Sequence, residues 1–280
     1  MKNNAVWFVT GASKGIGLVL VKQLLNRGYR VAATSRSVSD LTGPLGSKSD
    51  RFLPLELELS DERAVARAIR ATQEHFGSLQ VVVNNAGYGQ FGTVEETSDE
   101  EARRNFDVNV FGALNVLRAA LPLLREQRAG HVFNVSSIGG YVGAFSGWGI
   151  YCATKFALSG LTEALHADLS PFGVKVTLVY PGYFRTSFLS ASSMVQPKHP
   201  IAAHEAARAS QQQHGQAING NQPGDPEKLS QVLIEVYERG GEAPLHLFLG
   251  SDAVSLAEAK QAQVQRAIAE QRAISISTDF

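Results

Sequence analysis

Tyr151 and Lys155 are the residues of this chain whose types and spacing best suit proton transfer. They stand four positions apart near the start of a predicted helix, 150–170, so the phenol and the ammonium share one helix face. A free phenol has a pKa of about 10 and is a poor base at neutral pH. An ammonium at about 4.5 Å, with an effective dielectric constant of roughly 20, would favour the phenolate by ~4 kcal/mol before the cost of desolvation. We therefore expect Lys155 to lower the pKa of Tyr151.

A glycine-rich turn, 10–17, follows the first predicted strand and opens the first predicted helix. Glycines there let the backbone turn sharply and approach a pyrophosphate, and the helix N-terminus offers unpaired N–H groups. The spacing Gly-x-x-x-Gly-x-Gly differs from the general dinucleotide fingerprint, and such a turn taken alone can be purely structural. The residues that we assign to a phosphate loop are Gly11, Ser13, Lys14, Gly15, Ile16 and Gly17.

The composition excludes several classes of protein. The 280 residues carry 26 Lys and Arg against 26 Asp and Glu, so we expect neither a nucleic acid nor an anionic membrane as partner, because both are held by clustered positive charge. The single cysteine, Cys152, allows no intramolecular disulfide, so we expect a cytoplasmic location. The histidines do not have the spacing of metal ligands, so we expect no metal. We see no signal peptide and no run of about 18 apolar residues, and we expect no membrane span.

Short β-branched runs alternate with helical patterns from the start of the chain to about residue 250. Most of the strands are apolar throughout, which is typical of a parallel sheet covered by helices on both faces. We therefore predict an α/β fold, a doubly wound Rossmann fold with a central parallel sheet flanked by helices. The predicted strands are 5–10, 30–35, 52–57, 79–84, 131–136, 174–180 and 245–249, and the predicted internal helices are 61–76, 99–127, 150–170 and 226–239.

No linker divides the chain, so we predict a single domain, 1–280. Two regions break the alternation of strands and helices. Residues 183–224 show no strand signal and collect Ser, Gln, His, Pro and Ala. A segment of this length inside a compact domain is usually functional, and we interpret it as a substrate lid. Residues 252–280 are predicted to be a helical extension whose helix ends at about Arg272.

Several further motifs stand in the order found in one enzyme family. After the glycine-rich turn they are Asn84-Asn85-Ala86-Gly87, Asn109, the pair Tyr151 and Lys155, and Pro181-Gly182 with Thr186. Together they make the chain resemble the short-chain dehydrogenase/reductase family over about residues 5–250. Within that family it is more similar to retinol- and steroid-dehydrogenase-like members than to 3-oxoacyl-carrier reductases.

The resemblance implies that a hydride passes between a nicotinamide and a carbonyl or alcohol carbon. Tyr151 would give a proton to the carbonyl oxygen or take it from the alcohol, and Lys155 would also hold the nicotinamide ribose. Ser137 would hydrogen-bond the substrate oxygen. Asn109 would perturb its helix and support a water relay toward Lys155; an asparagine that bends the helix without a proton role is the alternative.

The position of Ser137 departs from the family pattern. Fourteen positions separate it from Tyr151, one more than in the family, which indicates a one-residue insertion within 143–149. Ile138 occupies the unshifted position, and its side chain cannot polarise an oxygen. We therefore assign Ser137 to the substrate oxygen and interpret Ser136 as a structural neighbour.

The end of the second predicted strand bears on which nicotinamide cofactor is bound. An acidic residue there would accept hydrogen bonds from a free ribose 2′-hydroxyl and repel a 2′-phosphate. This chain instead has Ser35 and Arg36, with Lys14 in the adjacent loop, and a guanidinium can hold a phosphate through two hydrogen bonds. We therefore predict NADP(H); a solvated loop arginine is the alternative. Further cofactor contacts implied by the resemblance are Glu58 and Leu59 at the adenine, Asn85, Ala86 and Gly87 along the cleft, and Pro181, Gly182 and Thr186 at the nicotinamide.

The predicted pocket walls are aromatic and apolar, which indicates a bulky apolar ketone, aldehyde or secondary alcohol. They are Tyr141, Phe145, Trp148, Tyr183, Phe184, Phe188, Leu189 and Met194. Two other functions stay open: a 3-oxoacyl-carrier reductase, which needs a basic entrance, and a non-catalytic NADP(H)-sensing protein. The helices predicted at 99–127 and 150–170 resemble those that assemble this family, so we expect a homodimer or homotetramer.

Overall fold

The structure is a computed structural model that describes residues 4–280. Its strands, in chain order, are β1 (Val6–Val9), β2 (Arg30–Ser35), β3 (Phe52–Glu56), β4 (Val81–Asn84), β5 (Gly89–Gln90), β6 (Gly130–Val135), β7 (Val174–Pro181), β8 (Met194–Val195) and β9 (His246–Leu249). Its α-helices are α1 (Gly15–Asn26), α2 (Ser39–Leu45), α3 (Glu62–Phe76), α4 (Asp99–Phe106), α5 (Gly112–Gln127), α6 (Gly149–Leu169), α7 (Glu205–Gln212), α8 (Pro226–Glu238) and α9 (Ser251–Ile276).

Within residues 4–280, seven strands form one parallel sheet in the order β3-β2-β1-β4-β6-β7-β9. The order reverses between β1 and β4, so the chain winds outward in both directions from β1. This confirms the predicted doubly wound sheet. Ligands of such folds bind in the crevice outside the carboxyl ends of the strands, at the point of reversal.

Each central strand is buried on both faces because two separate cores cover the sheet. In β1, Trp7 and Val9 face the core that α1 and α8 complete, whereas Val6 and Phe8 face the core beneath α3, α5 and α6. Successive strand residues point to opposite faces, so an uninterrupted apolar run supplies both cores. The helices hold the sheet rigid, and the site lies at its carboxyl edge.

Polar residues fix where three of the helices begin. The carboxylate of Asp61 accepts a hydrogen bond from the N–H of Ala64, 2.9 Å away, at the start of α3. Ser98 and Glu101 form a reciprocal capping box at the start of α4, and Asp225 precedes Pro226 at the start of α8. The predicted starts of these helices lie within one residue of the observed ones.

Four features differ from the sequence prediction. The helix α2 was not predicted, since it is short and contains Pro44. The helix predicted at 99–127 is divided by a π-helical segment, Asp107–Phe111, and α9 continues to Ile276 rather than ending near Arg272. The expected lack of a strand in 183–224 is wrong, because β8 lies there and pairs with β5 in a separate parallel ladder.

The run Asp99–Gln127 is long and apolar enough to cross a membrane, and half of its 18-residue apolar window is buried in the fold. A core helix meets the same criterion. In this chain the buried residues Val116, Leu117 and Leu124 of α5 pack in the core beneath the sheet. The hydropathy of this run is therefore weak support for a membrane span.

Candidate active site

A cavity of about 760 Å³ lies at the carboxyl edge of the sheet. The structure places almost all of the predicted site residues on its wall. They are Gly11, Ser13, Lys14, Gly15, Ile16, Ser35, Arg36, Glu58, Leu59, Asn85, Ala86, Gly87, Ser137, Tyr151, Lys155, Pro181, Gly182 and Thr186. Gly17 and Asn109 are the predicted site residues that do not line it.

The glycines of the phosphate loop are required by its backbone and by close packing. Gly11 has a φ of 64° and Gly15 a φ of 56°. Residues that carry a side chain rarely adopt these positive values. A Cβ on Gly11 would also lie 2.7 Å from the Cα of Ala86, and one on Gly17 would collide with the carbonyl oxygen of Gly11. Gly17 therefore packs the loop rather than facing the ligand.

The loop ends at the N-terminus of α1, which points its first N–H groups at the cavity. Lys14 is the N-cap residue, and its side chain makes no capping hydrogen bond. The unsatisfied N–H groups and the helix dipole favour an anion at this position. These glycines and this helix end fit the pyrophosphate of a dinucleotide.

The next segment of the wall is fastened to the phosphate loop. The hydroxyl oxygen of Thr10 accepts hydrogen bonds from the backbone N–H groups of Asn85 and Ala86, both at 3.0 Å. The amide of Asn85 donates to the carbonyl oxygens of Thr10 and Gly11, at 3.0 and 3.1 Å. The Asn85 side chain thus holds the phosphate loop in shape. The sequence analysis predicted only a cofactor contact for this residue.

Positive charge collects at the end of β2. Arg36 is exposed on the cavity rim, and Ser35 is buried beside it. Burial and the neighbouring charge of Arg36 lower the pKa of Lys14, while Asp40 in α2 acts to raise it. The ammonium of Lys14 also donates to the carbonyl and hydroxyl oxygens of Ser192, both at 3.0 Å. Asp40 is an acidic neighbour that the sequence analysis did not anticipate.

Ser137, and not Ile138, lies beside Tyr151. Burial raises the pKa of the Tyr151 phenol, and a hydrogen bond with the Ser137 side chain acts against this rise. The Ser137 hydroxyl oxygen accepts a hydrogen bond from the N–H of Gly139, 3.0 Å away. Ile138 packs in an apolar cluster with Val142 and with Ala253 and Ala257 of α9. The geometry therefore agrees with the assignment of Ser137.

Lys155 is buried, and its ammonium donates to the carbonyl oxygen of Val135 at 3.0 Å. The ammonium nitrogen lies 5.9 Å from the centre of the Tyr151 ring. Burial lowers the pKa of Lys155 to about 8. The effect expected of Lys155 on Tyr151 did not include the cost of desolvation, and in this structure burial is the largest influence on the phenol and raises its pKa.

Asn109 lies in the π-helical segment behind Tyr151 and Lys155. Its amide donates to the carbonyl of Tyr88 and the hydroxyl of Thr154, both at 3.0 Å, and accepts from the N–H of Tyr88. Gly87 separates it from Lys155: a Cβ there would lie 3.0 Å from Asn109 Oδ1 and 3.4 Å from Lys155 Nζ. The helix is perturbed at Asn109 as expected. The Asn109 side chain lies behind the cavity wall and does not line the cavity.

The loop that carries the extra residue is fixed by close packing. Gly147 has a φ of 79°, and a Cβ at this position would collide with the ring of Phe91. The carbonyl of Gly147 accepts a hydrogen bond from the N–H of Gly92 at 2.8 Å. The next residue, Trp148, packs edge-on against Tyr151, with ring centres 5.6 Å apart.

Most of the predicted substrate walls line the cavity, but two do not. Phe145, Trp148, Tyr183, Phe184, Phe188 and Leu189 line it. Tyr141 instead packs against Phe248, with ring centres 5.1 Å apart, because its loop turns toward β9 and α9. Met194 is buried in β8, where it pairs with Gly89. Both were wrongly assigned to the wall.

Sequence reasoning missed the residues that hold the lid. The buried carboxylate of Glu96 accepts from the N–H groups of Thr93 at 2.8 Å and Ile201 at 2.7 Å, and from Arg208 at 2.6 Å. On the other side, Asp252 of α9 accepts from the N–H of Tyr183 at 2.6 Å. Apart from Thr93, which is three positions from Glu96, these partners lie 69 to 112 positions apart, so no local pattern connects them.

His214 and Gln222 are further wall residues that were not predicted. Cys152 is buried beside Tyr151, and burial raises the pKa of its thiol to about 11, which agrees with an unreactive side chain. Among residues 4–280, no group of three or more His, Cys, Asp or Glu side chains is placed to hold a metal ion.

Comparison with known proteins gives consistent matches. A family model described as short chain dehydrogenase matches residues 5–196. Oxidoreductase BOA17 of Botryotinia fuckeliana is 34% identical over 276 residues, which cover 98% of both chains. A 3-ketodihydrosphingosine reductase of Bacteroides thetaiotaomicron is 37% identical over 180 residues, 64% of each chain. The crystal structure of a short-chain dehydrogenase from Streptomyces avermitilis is 34% identical, with a TM-score of 0.89 over 99% of both chains.

Proposed function

This chain belongs to the short-chain dehydrogenase family, and we propose that it uses NADP(H) to interconvert bulky apolar ketones or aldehydes and their alcohols. One observation carries the proposal. A buried phenol, Tyr151, lies beside the Ser137 side chain, is followed by Lys155, and shares a cavity with the N-terminus of α1. This arrangement supports a proton donor and a nucleotide site along one crevice.

The residues of the crevice suit NADP(H). The N-terminus of α1 would hold the pyrophosphate, and Arg36 and Ser35 would hold the 2′-phosphate, with Lys14 adding positive charge. Glu58, Asn85 and Thr186 would contact the adenine, the ribose and the carboxamide ends. When bound, the nicotinamide supplies or accepts a hydride at its C4 carbon.

Tyr151 would hold and deliver the proton. Because burial raises its pKa, the phenol keeps its proton at neutral pH until the substrate oxygen gains negative charge. Ser137 would donate a hydrogen bond to that oxygen and hold it against the phenol. Lys155 would hold the ribose and stabilise the developing phenolate, while Asn109 would fix the wall behind it.

The substrate side of the cavity supports a bulky apolar carbonyl compound. Phe145, Trp148, Phe188 and Leu189 form an apolar wall next to Tyr151. Apolar walls with few polar groups favour ligands that bury hydrocarbon. The related 3-ketodihydrosphingosine reductase is named for a ketone substrate, in agreement with this class.

The two alternative functions gain little support. A carrier-linked 3-oxoacyl reductase would need a basic entrance, yet Lys198 at the cavity mouth is paired with Glu100 at 3.3 Å. A non-catalytic sensor was favoured by the shifted spacing of Ser137, but the Ser137 side chain reaches Tyr151. We therefore retain catalysis.

We also propose that the protein assembles as a homodimer or homotetramer through α6 and the region where α5 begins. Phe111, at the end of the π-helical segment before α5, and Phe156, in α6, support this, because their apolar side chains are 50% and 43% exposed. A cytoplasmic location stays part of the proposal, in keeping with one buried free cysteine.

The experiment is turnover of a broad panel of aldehydes and ketones with NADPH, with NADH assayed alongside. We expect NADPH to be the better cofactor and aromatic or long-chain ketones to exceed small polar carbonyls in kcat/KM. Faster turnover of small polar carbonyls would contradict the substrate class. A clear preference for NADH would contradict the cofactor.

A further inference from the structure

Tyr183 and His214 form a hydrogen-bonded pair on the substrate side of the cavity. Tyr183 follows Gly182, where β7 leads into the lid, and His214 lies in the π-helical continuation of α7. The phenol oxygen of Tyr183 lies 2.9 Å from Nε2 of His214, and both side chains line the cavity. Neither residue takes part in the proposed transfer of a hydride to the carbonyl carbon or of a proton to the carbonyl oxygen.

The position of the pair is fixed from several sides. Tyr183 is held by its backbone, which donates to Asp252 at 2.6 Å and accepts from the N–H of Gly224 at 2.9 Å. His214 is only 6% exposed, and its ring centre lies 5.0 Å from that of Trp148. A side chain restrained in this way can select a ligand because little ordering cost remains on binding.

The partners of His214 fix the direction of the hydrogen bond. Its Nδ1 lies 2.7 Å from the carbonyl oxygen of Ser210, which can only accept, so Nδ1 carries a proton. Burial lowers the pKa of His214, so the ring is neutral at neutral pH and Nε2 is an acceptor. The hydroxyl of Tyr183 therefore donates to His214.

The phenol oxygen of Tyr183 has then used its only hydrogen and offers lone pairs. Apolar side chains stand along the same part of the cavity, among them Phe145, Phe188 and Leu189. Tyr183 also lies close enough to Tyr151 to act on it electrostatically, so the acceptor belongs to the same compartment as the proton donor. An acceptor in this setting gains most from a ligand that brings a donor.

We propose that Tyr183, oriented by His214, accepts a hydrogen bond from a hydroxyl or N–H group of the substrate, which would make the substrate an apolar carbonyl compound with a second, donor group. This rests on the proposed function and narrows its substrate class. Tyr183 is a specificity-determining residue that touches the substrate, and His214 is a positioning residue that acts through it.

We expect the Tyr183 oxygen to discriminate between a hydroxyl and a methyl group of the substrate, because a buried acceptor without a hydrogen-bond donor costs free energy. A methyl group placed against the Tyr183 oxygen would leave its lone pairs without water or a donor. A net hydrogen bond contributes about 0.5–1.5 kcal/mol, so we expect a hydroxyl to be preferred over a methyl roughly 3- to 10-fold. The preference should appear only where the ligand geometry brings the hydroxyl to Tyr183.

The test uses matched ketones that differ by a hydroxyl in place of a methyl. The probes are the ortho, meta and para hydroxy- and methylacetophenones, with the matching methoxyacetophenones for the His214 variant, and α-hydroxyacetophenone against propiophenone. Each pair is measured twice: as kcat/KM with NADPH, and as Kd for the protein saturated with NADPH, by calorimetry. The binding measurement does not depend on turnover.

The variants are Tyr183→Phe, His214→Leu and a matched control, Tyr141→Phe, which removes a phenol hydroxyl outside the cavity. We expect wild type and Tyr141→Phe to prefer the hydroxyl member of at least one pair, and Tyr183→Phe to bring that ratio close to one. His214→Leu frees the Tyr183 hydrogen to point at the ligand. The preference for a hydroxyl over a methoxy group should therefore fall.

Wild-type protein that shows no preference in any pair would overturn the inference without need of a variant. Equal weakening by Tyr183→Phe of the binding of both ketones in a matched set would also overturn it. Tyr183 and His214 would then only hold the lid in place. A lack of turnover with either cofactor would instead refute the proposed function. The ratios of Kd would still decide for or against Tyr183.

Discussion

The ammonium nitrogen of Lys155 lies 5.9 Å from the centre of the Tyr151 ring, and both side chains are buried. Burial raises the pKa of the phenol and lowers the pKa of the ammonium to about 8. Both groups are therefore driven toward their neutral forms. Tyr151 keeps its proton at neutral pH, whereas Lys155 stays charged only up to mildly alkaline pH.

This difference predicts a pH dependence. We expect kcat/KM for carbonyl reduction to fall as the pH rises through about 8, because Lys155 loses the charge that stabilises a developing phenolate and kcat/KM reports groups of the free enzyme. The contribution of Lys155 to folding stability changes in the opposite direction. An unfolded lysine titrates at about 10.4, so this contribution rises between pH 8 and that value. A profile of kcat/KM that is flat up to pH 10 would exclude this role.

Replacing Ser137 with alanine tests its assignment to the substrate oxygen. Removal of one hydrogen-bond donor to a developing oxyanion costs about 10²–10³ in kcat, and we expect Ser137→Ala to lose activity in this range. Ser136→Ala is the matched control. The Ser136 hydroxyl donates to the carbonyl of Lys155 at 3.1 Å, so its loss should lower the melting temperature while kcat changes little. A large loss of kcat in Ser136→Ala together with a small loss in Ser137→Ala would show that the two serines have been assigned wrongly.

Replacing Arg36 with aspartate tests the cofactor preference. A carboxylate at the cavity rim would repel a 2′-phosphate and accept hydrogen bonds from a free ribose. Charge-assisted hydrogen bonds contribute about 1.5–3 kcal/mol, so we expect the ratio of kcat/KM for NADPH to that for NADH to fall roughly 10- to 150-fold. Arg51→Asp makes the same charge change on an exposed residue outside the cavity and should leave the ratio unchanged. If Arg36→Asp also leaves it unchanged, Arg36 does not select the cofactor.

The buried carboxylate of Glu96 predicts how the lid is held. Burial acts to raise its pKa, but hydrogen bonds from Thr93 and Ile201 and the charge of Arg208 lower it overall. The stabilisation is therefore complete above the unfolded pKa of about 4.3 and is lost as the pH falls through the lower folded value. We expect Glu96→Gln to lose about 1–3 kcal/mol of stability at pH 7, with faster amide hydrogen exchange in 199–218.

Glu95→Gln provides the matched control for Glu96. Glu95 is paired with His204 at 2.9 Å, but its side chain is 70% exposed, and such pairs contribute little. Equal effects of the two substitutions on hydrogen exchange would mean that Glu96 does not hold the lid.

The strands of the main sheet were predictable because each is a short apolar run that two cores must cover. The helix starts at Asp61, Ser98 and Asp225 were predictable within one residue, since the capping chemistry is local. The strands β5 and β8 were not, because two residues give no pattern and the pairing joins positions 89 and 194.

The same distinction applies to the site. The glycine loop, the pair Tyr151 and Lys155, and Ser137 despite its shifted position were found because their residue types, spacing and order resemble those of a known family. The contacts of Tyr183 with Asp252 and His214 were missed, because they depend on where α7 and α9 pack in three dimensions. Tyr141 was misplaced for the same reason: its loop turns toward Phe248. The net pKa of Tyr151 could not be predicted, because burial, which the sequence did not quantify, raises it.

The most direct test of the account is the Tyr151→Phe variant, measured for both carbonyl reduction and NADPH binding. Loss of the hydroxyl removes the proton donor but leaves the phosphate loop, Arg36 and Lys155 in place. We expect kcat to fall at least about 10²-fold, as for other general acids, while the Kd for NADPH changes less than about 3-fold. Turnover close to that of the wild type would contradict the assignment of Tyr151 as the proton donor, and with it the proposed mechanism.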